Sequence, residues 1–288
     1  MDDLVRFSLL ASIIYPLGAL CLLLSKDGLS KLSGYEPQPL NSLFFKIFTI
    51  SIGMMALLTM YSFTLIAYLN LKPAIPILNP QNYDAILEQL ERLIFGGILP
   101  TEYFVNKISY LGLKLWNVIY HLFGPFIFIS VVICLYYEGF YGGALLMLAL
   151  NIGLFICIMF TLFFPTLGPL FIHPDWFESF HDLSNNQLAA FLTKTVSDYA
   201  QNPGTVYACA GIAAMPSYHL YAFAASFMFW KRLHIFFKLI GVFIIVIIWA
   251  STFILGWHYV LDGLVGILLA ITVVKILEKI FNRLKLVA

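Results

Sequence analysis

The sequence predicts an all-α fold, a polytopic bundle of membrane-spanning helices with one amphipathic helix lying at the membrane interface. Three observations carry this prediction. The 288 residues are 61% hydrophobic and only 11% charged, against about 25% charged in an ordinary soluble domain. The apolar residues gather in runs of about 20, the length that crosses a hydrocarbon core. The basic residues then fall on one side of the runs when seven are counted, which sets an orientation.

In order, the runs cover residues 5–24, 44–69, 116–137, 143–164, 217–231, 236–256 and 259–277. A count of six would drop the first. Its leading Met-Asp-Asp-Leu-Val-Arg lacks the basic segment of a secretory signal, so it reads as a retained helix. Lys26, Lys31 and Lys46 flank the first connection, Lys231, Arg232 and Lys238 follow the fifth run, and Lys275, Lys279, Arg283 and Lys285 close the chain. Placed in the cytoplasm, they leave loops 70–115 and 165–215 on the outer face, whether periplasmic, extracytoplasmic or lumenal.

Loop 70–115 has structure of its own. Pro73, Pro76 and Pro80 interrupt the chain, and Tyr83, Ile86, Leu87, Leu90, Leu93 and Ile94 then repeat at helical spacing. Asp84, Glu88, Glu91 and Arg92 take the other face, with Glu88 and Arg92 as an i,i+4 pair. Such a helix is too polar to span and is expected in the interface plane, as a lid on the bundle or a guide for substrate. Loop 165–215 sets Asp175, Glu178, Asp182 and Asp198 against Lys194 and reads as solvated. Cys21, Cys134, Cys157 and Cys209 lack metal-ligand spacing and read as small buried residues, not a disulfide framework. A net charge of +1 without a basic block gives no reason to expect a nucleic-acid partner.

Two motifs carry chemistry. Pro216-Ser217-Tyr218-His219 opens an apolar helix, where proline suits the first turn and the free amides form an anion site. His258 and Asp262 share one face at the start of the last run. A carboxylate one turn away can keep one ring nitrogen protonated and aim the other. Both motifs reach the outer face, and ionisable groups at a membrane-helix end are costly unless paired or facing a wet cavity. Asn151, within the fourth run, reads as an interhelical hydrogen-bonder, and His121 as a hydrogen-bonded histidine of the bundle.

Pro-Ser-x-His, a helical hairpin, then Ser251 with His258 seven residues on and Asp262 four further resembles the phosphatidic acid phosphatase type 2 (PAP2) superfamily, over about residues 140–277. The resemblance implies that His258 is a nucleophile forming a phosphohistidine, that His219 protonates the leaving oxygen, and that Asp262 orients His258. Ser217 and the amides around Tyr218, with Pro216, would bind phosphate oxygens, joined by Gly168 and Pro169 of a proline-rich turn and by Ser251. No cofactor or metal is implied. The chain would divide into N-terminal helices with the interface helix, 1–110, and a PAP2-like catalytic bundle, 111–288.

The superfamily's first motif, Lys followed by Arg-Pro, is absent. In its place stands Phe164-Pro165-Thr166-Leu167-Gly168-Pro169-Leu170, and Thr252 replaces the arginine that usually follows the serine of the third motif. This is similar to the inositolphosphotransferase branch, which includes inositol phosphorylceramide synthase. Fewer cations suit a singly charged phosphodiester better than a phosphomonoester. The resemblance thus implies transfer of a phospho-headgroup from a phospholipid, polyprenyl or sphingolipid substrate to a hydroxyl acceptor, with a lipid phosphatase as the alternative. Lys107, Lys114, Arg92 and Lys194 are candidate replacement cations. Two other classes compete. A transporter needs ionisable groups near the bilayer midplane, which the runs lack. A zinc site would use His219, His258 and Asp262, whereas His173 and His181 beside Asp175 do not read as ligands.

Overall fold

The computed structural model describes residues 40–180, 182–202, 211–230 and 233–285, and every regular element among them is helical. The predicted span 5–24 lies outside them, as do Lys26, Lys31, His181, Lys231 and Arg232. In chain order the longer α-helices are α1 (Leu40–Leu71), α2 (Asp84–Ile94), α3 (Pro100–Val105), α4 (Tyr110–Tyr120), α5 (Phe123–Phe163), α6 (Ser184–Gln201), α7 (Tyr218–Met228), α8 (Ile235–Ile254) and α9 (Val260–Lys285), with single helical turns between some of them. Among the described residues four helices are long and apolar enough to cross a membrane: Tyr110–Glu138, Gly142–Phe163, Ile235–Ile254 and Val260–Ile280. They fall where the third, fourth, sixth and seventh runs are predicted. The second run lies in α1, a helix of 32 residues. The fifth becomes α7, with only 11 residues, too short for a full crossing.

Helical backbone continues from Phe123 to Phe163, yet α5 doubles back. Phe126 lies 4.3 Å from the Phe223 ring, while the Tyr221 hydroxyl donates to the Ala149 carbonyl at 2.6 Å. Phe126 and Ala149 would stand about 35 Å apart along a straight helix, but Tyr221 and Phe223 are neighbours on α7. The two halves therefore form a hairpin that flanks α7, turning between Glu138 and Gly142. Lower down, the Trp230 indole donates to Ser130 Oγ at 3.1 Å. Helix α7 is apolar around its whole circumference, as a helix enclosed by others must be: Leu220, Tyr221, Ala222, Phe223 and Ala225 are all fully buried. It packs on α5 and α9 and forms the axis of the bundle.

Helix α2 matches the predicted residues, and the structure sets which of its faces turns inward. Its acidic side turns inward, leaving Asp84 1% and Glu91 0% exposed, whereas Ile86 (53%), Leu93 (80%) and Ile94 (58%) point out. An apolar outer face is what an interfacial helix presents to lipid. The expected Glu88–Arg92 pair does not form. Arg92 instead bonds Glu102 at 2.7 Å and the Gly97 carbonyl, because Glu88 is held on the inner face.

Residues 165–215 are more than a solvated loop. Phe177, Phe180 and Leu183 are buried with Val105, Leu113, Leu255 and Trp257 in a second apolar cluster over the ends of α4 and α8. Asp182 accepts from Tyr110 at 2.7 Å, and Asp198 pairs with Lys194. Asn151 donates to the Met147 carbonyl of its own helix at 2.7 Å, not across to a neighbour. Cys134 and Cys157 are buried and form no disulfide with each other.

Truncating Phe223 should leave a cavity between α7 and the α5 hairpin. Phe223→Ala is expected to destabilise the fold by about 3–5 kcal/mol, read as a lowered thermal midpoint of the purified protein in detergent.

Candidate active site

Ser217 is the N-cap of α7: its Oγ accepts from the Leu220 amide at 3.4 Å, and its carbonyl accepts from Tyr221 at 3.0 Å. Pro216 therefore precedes the cap instead of occupying the first turn, and His219 lies within that turn. At the other motif, α8 ends at Ile254 and the chain reverses through Gly256, whose φ is +75°. The His258 amide bonds back to the Thr252 carbonyl at 3.2 Å. Asp262 then caps its own helix, its Oδ2 accepting from the Tyr259 amide at 2.8 Å. One backbone bond ties the motifs together: the Ser217 amide donates to the Asp262 carbonyl at 3.0 Å.

The two histidine rings consequently meet, with centroids 5.7 Å apart. His258 Nδ1 lies 2.8 Å from the Ala214 carbonyl and 3.6 Å from Asp262 Oδ2. A carbonyl oxygen only accepts, so Nδ1 carries the proton and a neutral ring keeps its lone pair on Nε2. Ala214 thus takes the direct orienting bond expected of Asp262. The carboxylate stands within ion-pair range of the ring and is fully buried. His219 packs against Phe123 and Tyr120, at 4.7 and 4.9 Å, and its Nε2 lies 3.0 Å from the Tyr120 hydroxyl. His121 bonds the Asn117 carbonyl one turn back.

The proline-rich turn splints the site from behind. Thr166 joins the 214–215 segment through two bonds, its carbonyl accepting from Ala214 at 2.9 Å and its Oγ1 from Met215 at 2.9 Å. Leu170 donates to the Gly256 carbonyl at 2.8 Å. Gly168 has a φ of +96°, and a Cβ there would fall 2.6 Å from the Trp257 carbonyl, so only glycine fits. The amides of Leu167 and Gly168 both donate to the Asp84 carboxylate, each at 2.8 Å. The Gly168 amide is thus already donated to Asp84, and Pro169 carries no amide hydrogen. Ser251 donates to the Ile248 carbonyl of its own helix and is fully buried. The Tyr218 side chain turns away to Tyr61 and the Leu150 carbonyl. Of the expected residues, the structure brings together His219, His258, Asp262 and Ser217.

Helix α2 supplies carboxylates to the same layer. Glu88 Oε1 lies 2.7 Å from His173 Nε2 and accepts from the Tyr259 hydroxyl at 3.1 Å. Glu91 accepts from the Leu261 amide at 2.9 Å. Burial raises both Asp84 and Glu91, with the bonded amides pulling the other way and the Asp262 charge adding to the rise; Glu91 reaches about 7. Among the described residues, no three His, Cys, Asp or Glu side chains gather as a metal would require.

The candidate cations go elsewhere: Arg92 to Glu102, Lys194 to Asp198, and Lys107 over the Tyr103 ring at 3.8 Å, while Lys114 is exposed. The cation whose charge acts on His219 is Lys72, which sequence reasoning missed together with Tyr120, Ala214 and Asp84. For Asp84, Glu88 and Glu91 a signal existed in the stripe at i, i+4 and i+7. A carbonyl partner such as Ala214 leaves no mark on residue type.

Glu91 binds its proton more tightly folded than unfolded. The stability this contributes is complete below its ordinary value of 4.5 and is lost as pH rises through about 7. The thermal midpoint should therefore fall between about pH 5 and about pH 8 in the wild type, and fall less in Glu91→Gln. Equal falls in the two proteins would contradict the assignment.

A protein-family model described as the PAP2 superfamily matches residues 86–276. No curated protein matches the chain, and no solved structure matches it.

Proposed function

The chain belongs to the PAP2 superfamily, and on that premise we propose that it is a membrane phosphotransferase moving a phospho-headgroup from a lipid to a hydroxyl acceptor through a phosphohistidine. Membership and the four apolar helices support an integral membrane protein acting on lipid phosphoesters, by hydrolysis or by transfer. The observation that carries the mechanism is the bond from His258 Nδ1 to the Ala214 carbonyl, which leaves Nε2 as the nucleophilic nitrogen. Nε2 attacks phosphorus, the bond from phosphorus to the lipid oxygen breaks, and His219 gives that oxygen its proton. The acceptor hydroxyl then loses its proton to His219 and attacks phosphorus, and the bond to His258 breaks. Asp262 stabilises the charge that His258 carries in between. Phosphate oxygens meet Ser217, whose hydroxyl oxygen caps α7 while its hydrogen remains free to donate.

Transfer is favoured over hydrolysis because the first-motif cations are replaced by a turn whose amides are already committed to Asp84. That binding half fits a monoanionic diester, the substrate class of the inositolphosphotransferase branch, with a phospholipid or sphingolipid as the donor. Seven spans, with the one-sided basic residues in the cytoplasm, would place the site on the outer face.

Purified protein given a phosphorus-labelled phospholipid and a hydroxyl acceptor should pass the label into a new lipid. Label appearing only as free phosphate would replace the transferase with a phosphatase. His258→Ala should lower turnover by at least about a thousandfold, and near-normal turnover would overturn the nucleophile. His219→Ala should cost about a hundredfold or more with an alkyl leaving group and markedly less with an activated aryl ester. Equal losses on both substrates would remove His219 from the role of acid.

A further inference from the structure

Lys72 follows directly on α1, at the layer where the catalytic histidines meet, and two contacts fix it there. Its Nζ lies 4.6 Å over the Tyr68 ring, which leans on Tyr218 at 5.9 Å, the residue preceding His219. Its backbone presses on Gly211, where an added Cβ would fall 2.4 Å from Lys72 Cβ and 2.7 Å from the Pro73 nitrogen. Gly211 is three residues before Ala214, whose carbonyl holds His258. One lysine is thus anchored both to the segment carrying the acid and to the segment positioning the nucleophile.

Among the described residues no acid pairs with its charge: the ion pairs there are Arg92–Glu102, His173–Glu88, Lys194–Asp198 and His258–Asp262, and none includes Lys72. Its electrostatic neighbours are His219 and Cys157, neither of them an acid at neutral pH. Burial lowers the ammonium from 10.5 to about 8, so it remains mostly protonated at neutral pH. Removing a cation from water without a counter-ion is costly, and the cost is offset when a ligand supplies the anion.

We propose that Lys72 is the phosphate-binding cation of this site, contributed by the chain preceding the catalytic bundle in place of the missing first-motif clamp. This rests on the phosphotransfer reading above and narrows its substrate. A single ammonium is a compact point charge, and it balances the one negative charge of a phosphodiester. A phosphomonoester dianion would keep an uncompensated charge in the same space.

The test uses the purified full chain in detergent, with Lys72→Met and Lys72→Arg beside the wild type and His258→Ala. Two readouts are taken: KM and kcat for a lipid phosphodiester, and the rise in thermal midpoint produced by inorganic phosphate. Lys72→Met should raise KM by at least about tenfold with a smaller change in kcat. It should also abolish the phosphate-induced rise and increase the ligand-free midpoint, since a half-buried charge without an acidic partner among the described residues is gone. Lys72→Arg should recover most of the KM. A Lys72→Met protein with wild-type KM and wild-type phosphate response overturns the proposal, as does a lowered ligand-free midpoint with equal losses in the methionine and arginine variants. If His258→Ala is as active as wild type, the phosphotransfer reading fails, and the phosphate response still decides Lys72. If the methionine variant does not accumulate, Lys72→Gln replaces it in both readouts.

Discussion

Every α-helix ends with amide and carbonyl groups that lack partners along its own axis, and at the edge of a bilayer they cannot all be left to water. Here two such ends, the starts of α7 and α9, are brought side by side, and much of the surrounding chain serves to satisfy them. Ser217 caps one end and Asp262 the other, and the Ser217 amide joins them through the Asp262 carbonyl. The proline-rich turn binds the 214–215 segment on one side and Gly256 on the other. The histidines face each other because the backbone groups around them have few other ways to be paired.

The same constraint explains the acidic face of α2. A carboxylate is an acceptor only, with two oxygens to offer, and this layer has amides in excess. Asp84 takes two of them and Glu91 a third, while Glu88 meets a histidine and a tyrosine. Burying two carboxylates, Asp84 and Glu91, is costly, and the amides offset part of that cost. The outcome is a helix whose polar side bonds the candidate site and whose apolar side is exposed.

Legibility in the sequence followed the range of each interaction. Apolar runs marked α1, both halves of α5, α8 and α9 to within a few residues, because span length and hydropathy are properties of the local chain. His219, His258 and Asp262 were readable from spacing, since each lies in or beside the first turn of its helix. The periodicity of residues 83–94 located α2 but not which side faces in, since one stripe pattern suits either orientation. Gly168, Pro169 and Ser251 looked like ligand contacts by position. Their donors are absent or spent on Asp84 and on the Ile248 carbonyl, which only their neighbours in space reveal.

Taken alone, the sequence determined the all-helical membrane character, the order of the apolar helices and the two histidines with their carboxylate, because composition, run length and short spacing act within a few turns of chain. Tertiary structure decided that a backbone carbonyl, Ala214, bonds the His258 ring, that α2 turns its acids inward, and that Lys72 comes to lie against Gly211. Each depends on partners between 44 and 171 residues apart in sequence, and contacts at that range leave no imprint on local pattern. Only the folded bundle brings those groups within reach of one another.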